Sequence, residues 1–158
     1  MFASLLGWSL FGPIEDSRAE PTTPTALMDE KPIEGRPTVV LNRLTFPRDI
    51  LGAGQFESHL KKSLGREVAR ADWGAGRENR IEYRFEVTEL KYTLTDGALR
   101  AHCTAVGRLP GGQTAKSQLT FSGHPGERVA LTQRVLEIVA RGVITRLAQL
   151  ERKRRGLD

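Results

Sequence analysis

Apolar and polar residues alternate through the middle of the chain in a way that predicts long β-strands. Residues 81–87 alternate strictly, with aromatic and branched side chains on one face and charged side chains on the other. The alternation slips at Thr88 and resumes with Leu90, Tyr92 and Leu94 on the other parity. A β-bulge near Thr88 would restore one continuous buried face. Without a bulge, the strand would twist and bury part of both faces.

Two tight turns fold this stretch into a three-stranded antiparallel meander. Asp96-Gly97 is a strong hairpin signal, and the Pro-Gly-Gly run at residues 110–112 predicts the second turn. The middle strand presents small inward residues, so it leaves a shallow trough that a helix can approach closely. The residues predicted to point inward are Leu99, Ala101, Cys103 and Ala105 on the middle strand, and Leu119 and Phe121 on the last strand.

Two stretches of helical periodicity flank the meander. The first carries one apolar stripe, formed by Phe56, Leu60, Leu64 and Val68. The second begins near Pro125, continues into the basic run of residues 152–155 and ends at Gly156. Its apolar face is predicted to consist of Leu131, Val135, Ile138, Val139, Gly142, Val143, Leu147 and Leu150.

A β-branched run at residues 38–44 predicts one further strand, which the Phe46-Pro47 pair ends. The element order is therefore strand–helix–strand–strand–strand–helix. This order predicts an α+β two-layer sandwich, with a mostly antiparallel four-stranded sheet and both helices on one face. We expect residues 37–158 to form a single domain.

The first 36 residues differ from the rest in composition. Residues 1–13 are apolar but too short to span a bilayer, and residues 14–36 have the Pro, Thr and acidic content of a flexible linker. Ser17-Arg18-Ala19 offers a small-x-small cleavage site, although no basic residue precedes the apolar run. Residues 1–13 could be an export signal, an interfacial membrane anchor, or a segment that packs on a partner.

Charge is divided unevenly along the chain. The first 35 residues contain two basic and six acidic side chains, whereas the remainder contains 22 basic and 13 acidic ones. A basic domain favours anionic partners through its field, although an arginine-rich solvated surface would have the same composition.

No motif for catalysis or cofactor binding stands out. The three histidines lie on separate elements, and adjacent strand residues such as His102 and Cys103 face opposite ways, so they do not form a metal site. Cys103 is expected to be a small buried residue rather than a reactive thiol. We therefore expect no enzyme, no cofactor, no metal and no small-molecule substrate.

Nucleic-acid binding is the alternative hypothesis. Helix, three strands and helix is also the order of the double-stranded-RNA-binding fold, and the basic residues 152–155 would suit phosphates. That family places a lysine cluster at the start of its second helix, whereas residues 126–130 hold only Glu127 and Arg128 as charged side chains. Nucleic acid is therefore the less favoured partner.

The element order, behind an apolar N-terminus and a Pro/Thr linker, resembles that of small bacterial envelope lipoproteins. The similar families are the lipopolysaccharide-assembly lipoprotein that plugs an outer-membrane barrel and the activators of peptidoglycan synthases. The resemblance covers roughly residues 37–152 and includes the strand-to-helix transition at residues 123–150. The lipid-attachment cysteine of these families is absent, and no functional residue is carried over. The resemblance implies a non-catalytic accessory role.

The sequence thus favours an accessory or scaffold domain of the bacterial envelope that binds a protein partner. Periplasm or outer membrane is the expected location, with membrane contact through residues 1–13, and cytoplasm is the alternative. The candidate contact residues are Trp73, in the loop after the first helix, and Glu82, Arg84, Glu86, Arg100 and His102, on the outward face of the sheet. An exposed Trp73 would support partner binding, and a buried one would remove that argument.

Overall fold

The computed structural model describes residues 35–76 and 79–157. The apolar segment 1–13 and nearly all of the linker 14–36 lie outside these residues. Four strands and two helices follow the predicted order: β1 (Thr38–Thr45), α1 (Ala53–Arg70), β2 (Arg80–Thr95), β3 (Ala98–Arg108), β4 (Thr114–Gly123) and α2 (Arg128–Arg154). A 3₁₀ turn, Pro125–Glu127, leads into α2.

The four strands form one open sheet in the order β1–β2–β3–β4. Strand β1 runs parallel to β2, and the other neighbours are antiparallel. The parallel pair needs a crossover, which α1 supplies. Both helices cover the same face of the sheet, so the predicted α+β two-layer sandwich is confirmed.

The predicted bulge in β2 is confirmed. The pairing of β2 with β3 shifts register between Val87 and Glu89, which leaves Thr88 as the extra residue. As a result Val87 and Leu90 are both buried on the inner face. The prediction for Leu94 was wrong, because 67% of its surface is exposed where the hairpin extends beyond the helices.

The predicted trough in β3 is present, and it extends by one further inward-facing position, Gly107. Ala101, Cys103 and Ala105 are completely buried. A Cβ atom at Gly107 would lie 2.5 Å from Cγ1 of Val143 and 2.6 Å from Cδ1 of Leu147. Helix α2 therefore packs against β3 at a distance that only glycine allows at position 107.

The buried face of α2 differs from the predicted one. Its buried side chains come in five pairs spaced four residues apart, followed by a single Glu151: Leu131, Thr132, Val135, Leu136, Val139, Ala140, Val143, Ile144, Leu147, Ala148 and Glu151. Four residues turn about 40° more than one full helical turn, so this stripe winds around α2. One side of the winding stripe contacts the sheet and the other contacts α1. Ile138 and Gly142 are exposed, contrary to prediction, although a Cβ atom at Gly142 would lie 2.8 Å from Oγ of Ser117 on β4.

Strand β4 is an edge strand and is less buried than predicted. Leu119 is half-buried, and Phe121 leaves 36% of its surface exposed. The ring of Phe121 lies 5.6 Å from the guanidinium carbon of Arg134 on α2. Arg134 therefore covers one face of the Phe121 ring, and the rest of the ring contacts solvent.

Cys103 is a free, buried cysteine, as predicted. Burial raises the pKa of its thiol to about 12, and the nearby carboxylate of Glu89 acts in the same direction. We expect the native protein to resist an aromatic disulfide reagent at mildly alkaline pH and to react fully in concentrated guanidinium chloride. Rapid labelling of the native protein would contradict the buried position.

Candidate functional site

The outer face of the sheet, opposite both helices, is the candidate binding surface. No other element among residues 35–76 and 79–157 covers it. Near the start of β2, Arg84 is the register partner of Arg43 on β1 and of Arg108 on β3. All three side chains are exposed. They form a row of like charges across three adjacent strands, called here the arginine row.

None of these three guanidinium groups lies within 4.0 Å of a carboxylate in the described part of the chain. The neighbouring carboxylate of Glu82 is already hydrogen-bonded to two other side chains. It accepts hydrogen bonds from Nδ2 of Asn42 at 2.8 Å and from Nε of Arg80 at 3.0 Å. The Asn42 bond first, and then the Arg80 bond, hold the pKa of Glu82 below its usual range. The carboxylate of Glu82, which lines the notch with Arg84, is therefore stabilised by other donors.

A register shift positions Asn42 for this role. The pairing of β1 with β2 slips between Leu41 and Arg43, so that Asn42 is the bulged residue. Because of the bulge, Asn42 and Arg43 both reach the outer face instead of alternating. The bulge thus places one amide beside Glu82 and one guanidinium beside Arg84.

A notch opens beside the arginine row. The pairing of β2 with β3 ends at Arg84 and Arg108, and the chain then turns away through residues 109–113. The gap left between β2 and this turn is a hollow of about 350 Å³. We call it the notch. It is lined by Asn42, Glu82, Tyr83, Arg84, Arg108, Leu109, Pro110, Gly112 and Thr114.

A second hollow, of about 270 Å³, lies on the other side of the same arginines. It is lined in part by Arg43, Thr45, Glu86 and Val106. Glu86, one of the candidate contact residues, therefore faces the second hollow and does not line the notch. The two hollows share Arg84 and Arg108 as their common wall.

The candidate residues Arg100 and His102 lie at the opposite end of the outer face. His102 contacts Oγ1 of Thr120 at 2.8 Å through Nδ1, and its Nε2 lies 3.4 Å from Oε2 of Glu89. A hydrogen bond from Lys91 is the main cause that holds the pKa of Glu89 below its usual range. The outward residues predicted from the sequence thus divide into two groups, and only Arg84 and Glu82 line the notch.

Trp73 does not belong to the binding surface. Only 4% of its surface is exposed, and its indole Nε1 donates a hydrogen bond of 3.1 Å to the carbonyl oxygen of Val68. The loop that carries it folds back over the end of α1, so the ring joins the core. Trp73 is therefore not exposed for contact with a partner.

Most of the basic residues at the C-terminal end of α2 are also engaged in contacts within the domain. Arg152 binds the carboxylate of Asp72, and Arg155 donates to the carbonyl oxygens of Trp73 and, at 2.6 Å, of Ala75. Arg154 donates two hydrogen bonds to the buried Glu151. Arg152 and Arg155 thus fasten the Trp73 loop to the end of α2, whereas Lys153 and Arg154 are exposed.

Sequence reasoning missed Arg43, Arg108 and the notch. Arg108 could have been found, because the two-residue turn and the bulge together fix its register opposite Arg84. Nothing in the sequence indicates the partner of Arg43, because the parallel register depends on how α1 packs. No helix in the described ranges has the length and apolar content to cross a membrane. Nor do these residues contain three clustered His, Cys, Asp or Glu side chains placed to hold a metal ion.

No protein-family model matches the chain, and no match was found among curated proteins. Neither specific lipoprotein family named above is therefore shown. Solved structures do match. One is described as a candidate lipoprotein from Caulobacter crescentus, with 12% identity and a TM-score of 0.44 over 75% of this chain and 92% of that one.

Two further structures are similar to this chain. A minor lipoprotein from Acinetobacter baumannii has 18% identity and a TM-score of 0.32, over 72% of this chain and 87% of that one. The PelC dodecamer from Paraburkholderia phytofirmans has 15% identity and a TM-score of 0.38, over 73% and 90%. Two of the three are thus described as lipoproteins. All three TM-scores lie below 0.5.

Proposed function

We propose that this protein is a non-catalytic accessory domain of the bacterial cell envelope that binds a protein partner. The observation that carries the proposal is the asymmetry of the sheet. Its inner face is packed against both helices, whereas its outer face is left polar and uncovered by residues 35–76 and 79–157. A sheet face that is not needed for the core is available for recognition.

The location follows from the N-terminal segments. Residues 1–13 are apolar and residues 14–36 have the composition of a linker, an arrangement suited to an exported or membrane-tethered domain. The tether would hold the domain near the envelope while the outer face contacts its partner. The end of the face around His102 and Arg100 is the surface that we assign to the protein partner, since a non-obligate interface need be no more apolar than the rest of a protein surface.

Fractionation of cells that produce the protein tests the location. We expect the full chain in the periplasmic or membrane fraction and a variant lacking residues 1–20 in the cytoplasm. A photo-cross-linking residue placed at Arg100 should capture an envelope protein, whereas one at Lys62, exposed on α1, should not. Recovery of both chains in the cytoplasm would contradict the location, and equal capture from both positions would contradict the contact surface.

A further inference from the structure

The arginine row is energetically unfavourable for the isolated domain. Like charges directly opposite each other on neighbouring strands destabilise a sheet. Arg84 has such a neighbour on both sides, Arg43 and Arg108. Of the two carboxylates that flank it along β2, that of Glu82 is held by Asn42 and Arg80, and that of Glu86 faces the second hollow. A locally unfavourable arrangement of this kind is characteristic of a functional site.

The geometry of the row fits an anion with several oxygens. Adjacent strands lie about 4.8 Å apart, so three arginines on three strands span about 10 Å. Each guanidinium presents a planar fork of donors, which matches phosphate and carboxylate oxygens. A phosphate monoester carries up to two negative charges and three free oxygens, so it can accept from more than one arginine at once.

The notch is the side of the row on which the anion would bind. The second hollow contains Glu86, for which the described residues show no cation within 4.0 Å, and this carboxylate would repel an anion. The notch contains Glu82 instead, whose charge is balanced by Arg80. At about 350 Å³ the notch also falls within the usual range for small-ligand sites.

We infer that Arg84 and Arg108 form a binding site for a phosphate monoester, with the group that bears the phosphate seated in the notch and Arg43 adding positive charge from the other side of the row. The ligand is either a free phosphorylated molecule or the phosphomonoester head group of a lipid. This site lies beyond the proposed protein contact at the His102 end of the face. It does not depend on the cellular location of the protein.

Calorimetry with the full chain tests the site. Glycerol 3-phosphate serves as the free probe, and vesicles of phosphatidylcholine with and without phosphatidic acid serve as the lipid probe. We expect saturable binding that Arg84→Gln weakens about tenfold, the effect of losing one hydrogen-bonded charge. Arg100→Gln is the matched control, because it removes the same charge from the far end of the same exposed face and should change binding less than about twofold.

Each outcome of the calorimetry is decisive. Saturation by glycerol 3-phosphate identifies a free ligand, and binding only to vesicles with phosphatidic acid, with the same dependence on Arg84, identifies a head group. Equal losses in Arg84→Gln and Arg100→Gln would overturn the site, because only the overall charge would then matter. A DNA duplex or a glutamate peptide that binds more tightly than the phosphate probes, and loses affinity in Arg84→Gln, would also overturn the site. A lack of binding to both phosphate probes would do the same.

Thermal unfolding supplies an independent measurement. Removing a charge with two like neighbours should raise the melting temperature of the unliganded Arg84→Gln variant by about 2 °C. The same variant should lose the increase in melting temperature that glycerol 3-phosphate gives to the wild type. A variant that is less stable without ligand and still responds fully to the phosphate would contradict the assignment of Arg84.

Discussion

Replacement of Gly107 by valine is expected to lower the free energy of unfolding by roughly 3 kcal/mol or more. The reason is the close approach of α2 to β3. A Cβ atom at position 107 would lie 2.5 Å from Cγ1 of Val143, a side chain that has one strongly preferred rotamer in a helix. Valine could therefore be accommodated only if the helix moved away from the sheet. Urea unfolding followed by circular dichroism measures the loss.

Gly65→Ala is the matched control for this prediction. Gly65 is exposed in the middle of α1, and a Cβ atom there would have no neighbour within 4 Å. This substitution should stabilise the protein by about 0.5–1 kcal/mol, because alanine is the better helix former. Combining Gly107→Ala with Val143→Ala should cost less than the two separate losses added together. Additive losses, or a stable Gly107→Val variant, would contradict the close contact.

Local patterns were sufficient to predict the elements of the fold. The strict alternation in β2 and the slip at Thr88 were enough to predict the strand and its bulge, because both depend on which residues share one face of a single strand. The small residues of β3 predicted a closely packed helix for the same reason. These inferences require no knowledge of where distant parts of the chain lie.

The errors arise where burial depends on a neighbour that periodicity does not reveal. Ile138 fits the apolar period of α2, yet the buried stripe winds away from it because α2 contacts both the sheet and α1. Leu94 and Phe121 both have the parity of the inner face. Leu94 lies at the end of the hairpin, beyond the helices, and Phe121 lies on the edge strand, beside them. The alternation of residues predicts on which face of the sheet a side chain lies. The element packed over that face determines how deeply the side chain is buried.

The candidate site was predictable only in part for a related reason. Arg84 and Glu82 were recognised as outward residues of β2, and their position beside the notch depends on where β3 turns away. The register opposite Arg108 follows from the hairpin, whereas the register opposite Arg43 depends on the crossover through α1. A row that crosses three strands is therefore a property of the assembled sheet.

Loss of the Arg155 side chain is expected to destabilise the protein by about 2–3 kcal/mol, although the residue lies just beyond the last helix. Only about 11% of this side chain is exposed. Its guanidinium donates to the carbonyl oxygens of Trp73 and Ala75, and its Nε lies 3.4 Å from the carboxylate of Glu151. Arg155→Ala would leave the two carbonyl oxygens without their charged donor. The loop should then release Trp73 from the core.

Lys153→Ala provides the control, since it removes an equal charge two residues earlier from an exposed position and should change stability by less than about 0.5 kcal/mol. Arg155→Lys should recover only part of the loss, because a single ammonium does not span two carbonyl oxygens as a planar fork does. With Trp8 replaced by phenylalanine, Trp73 is the one tryptophan left, and acrylamide quenching reports its exposure directly. Stronger quenching in Arg155→Ala than in Lys153→Ala is the expected result. Equal quenching would show that the loop is held by the indole itself, through its burial and its hydrogen bond to Val68, and that the arginine is dispensable.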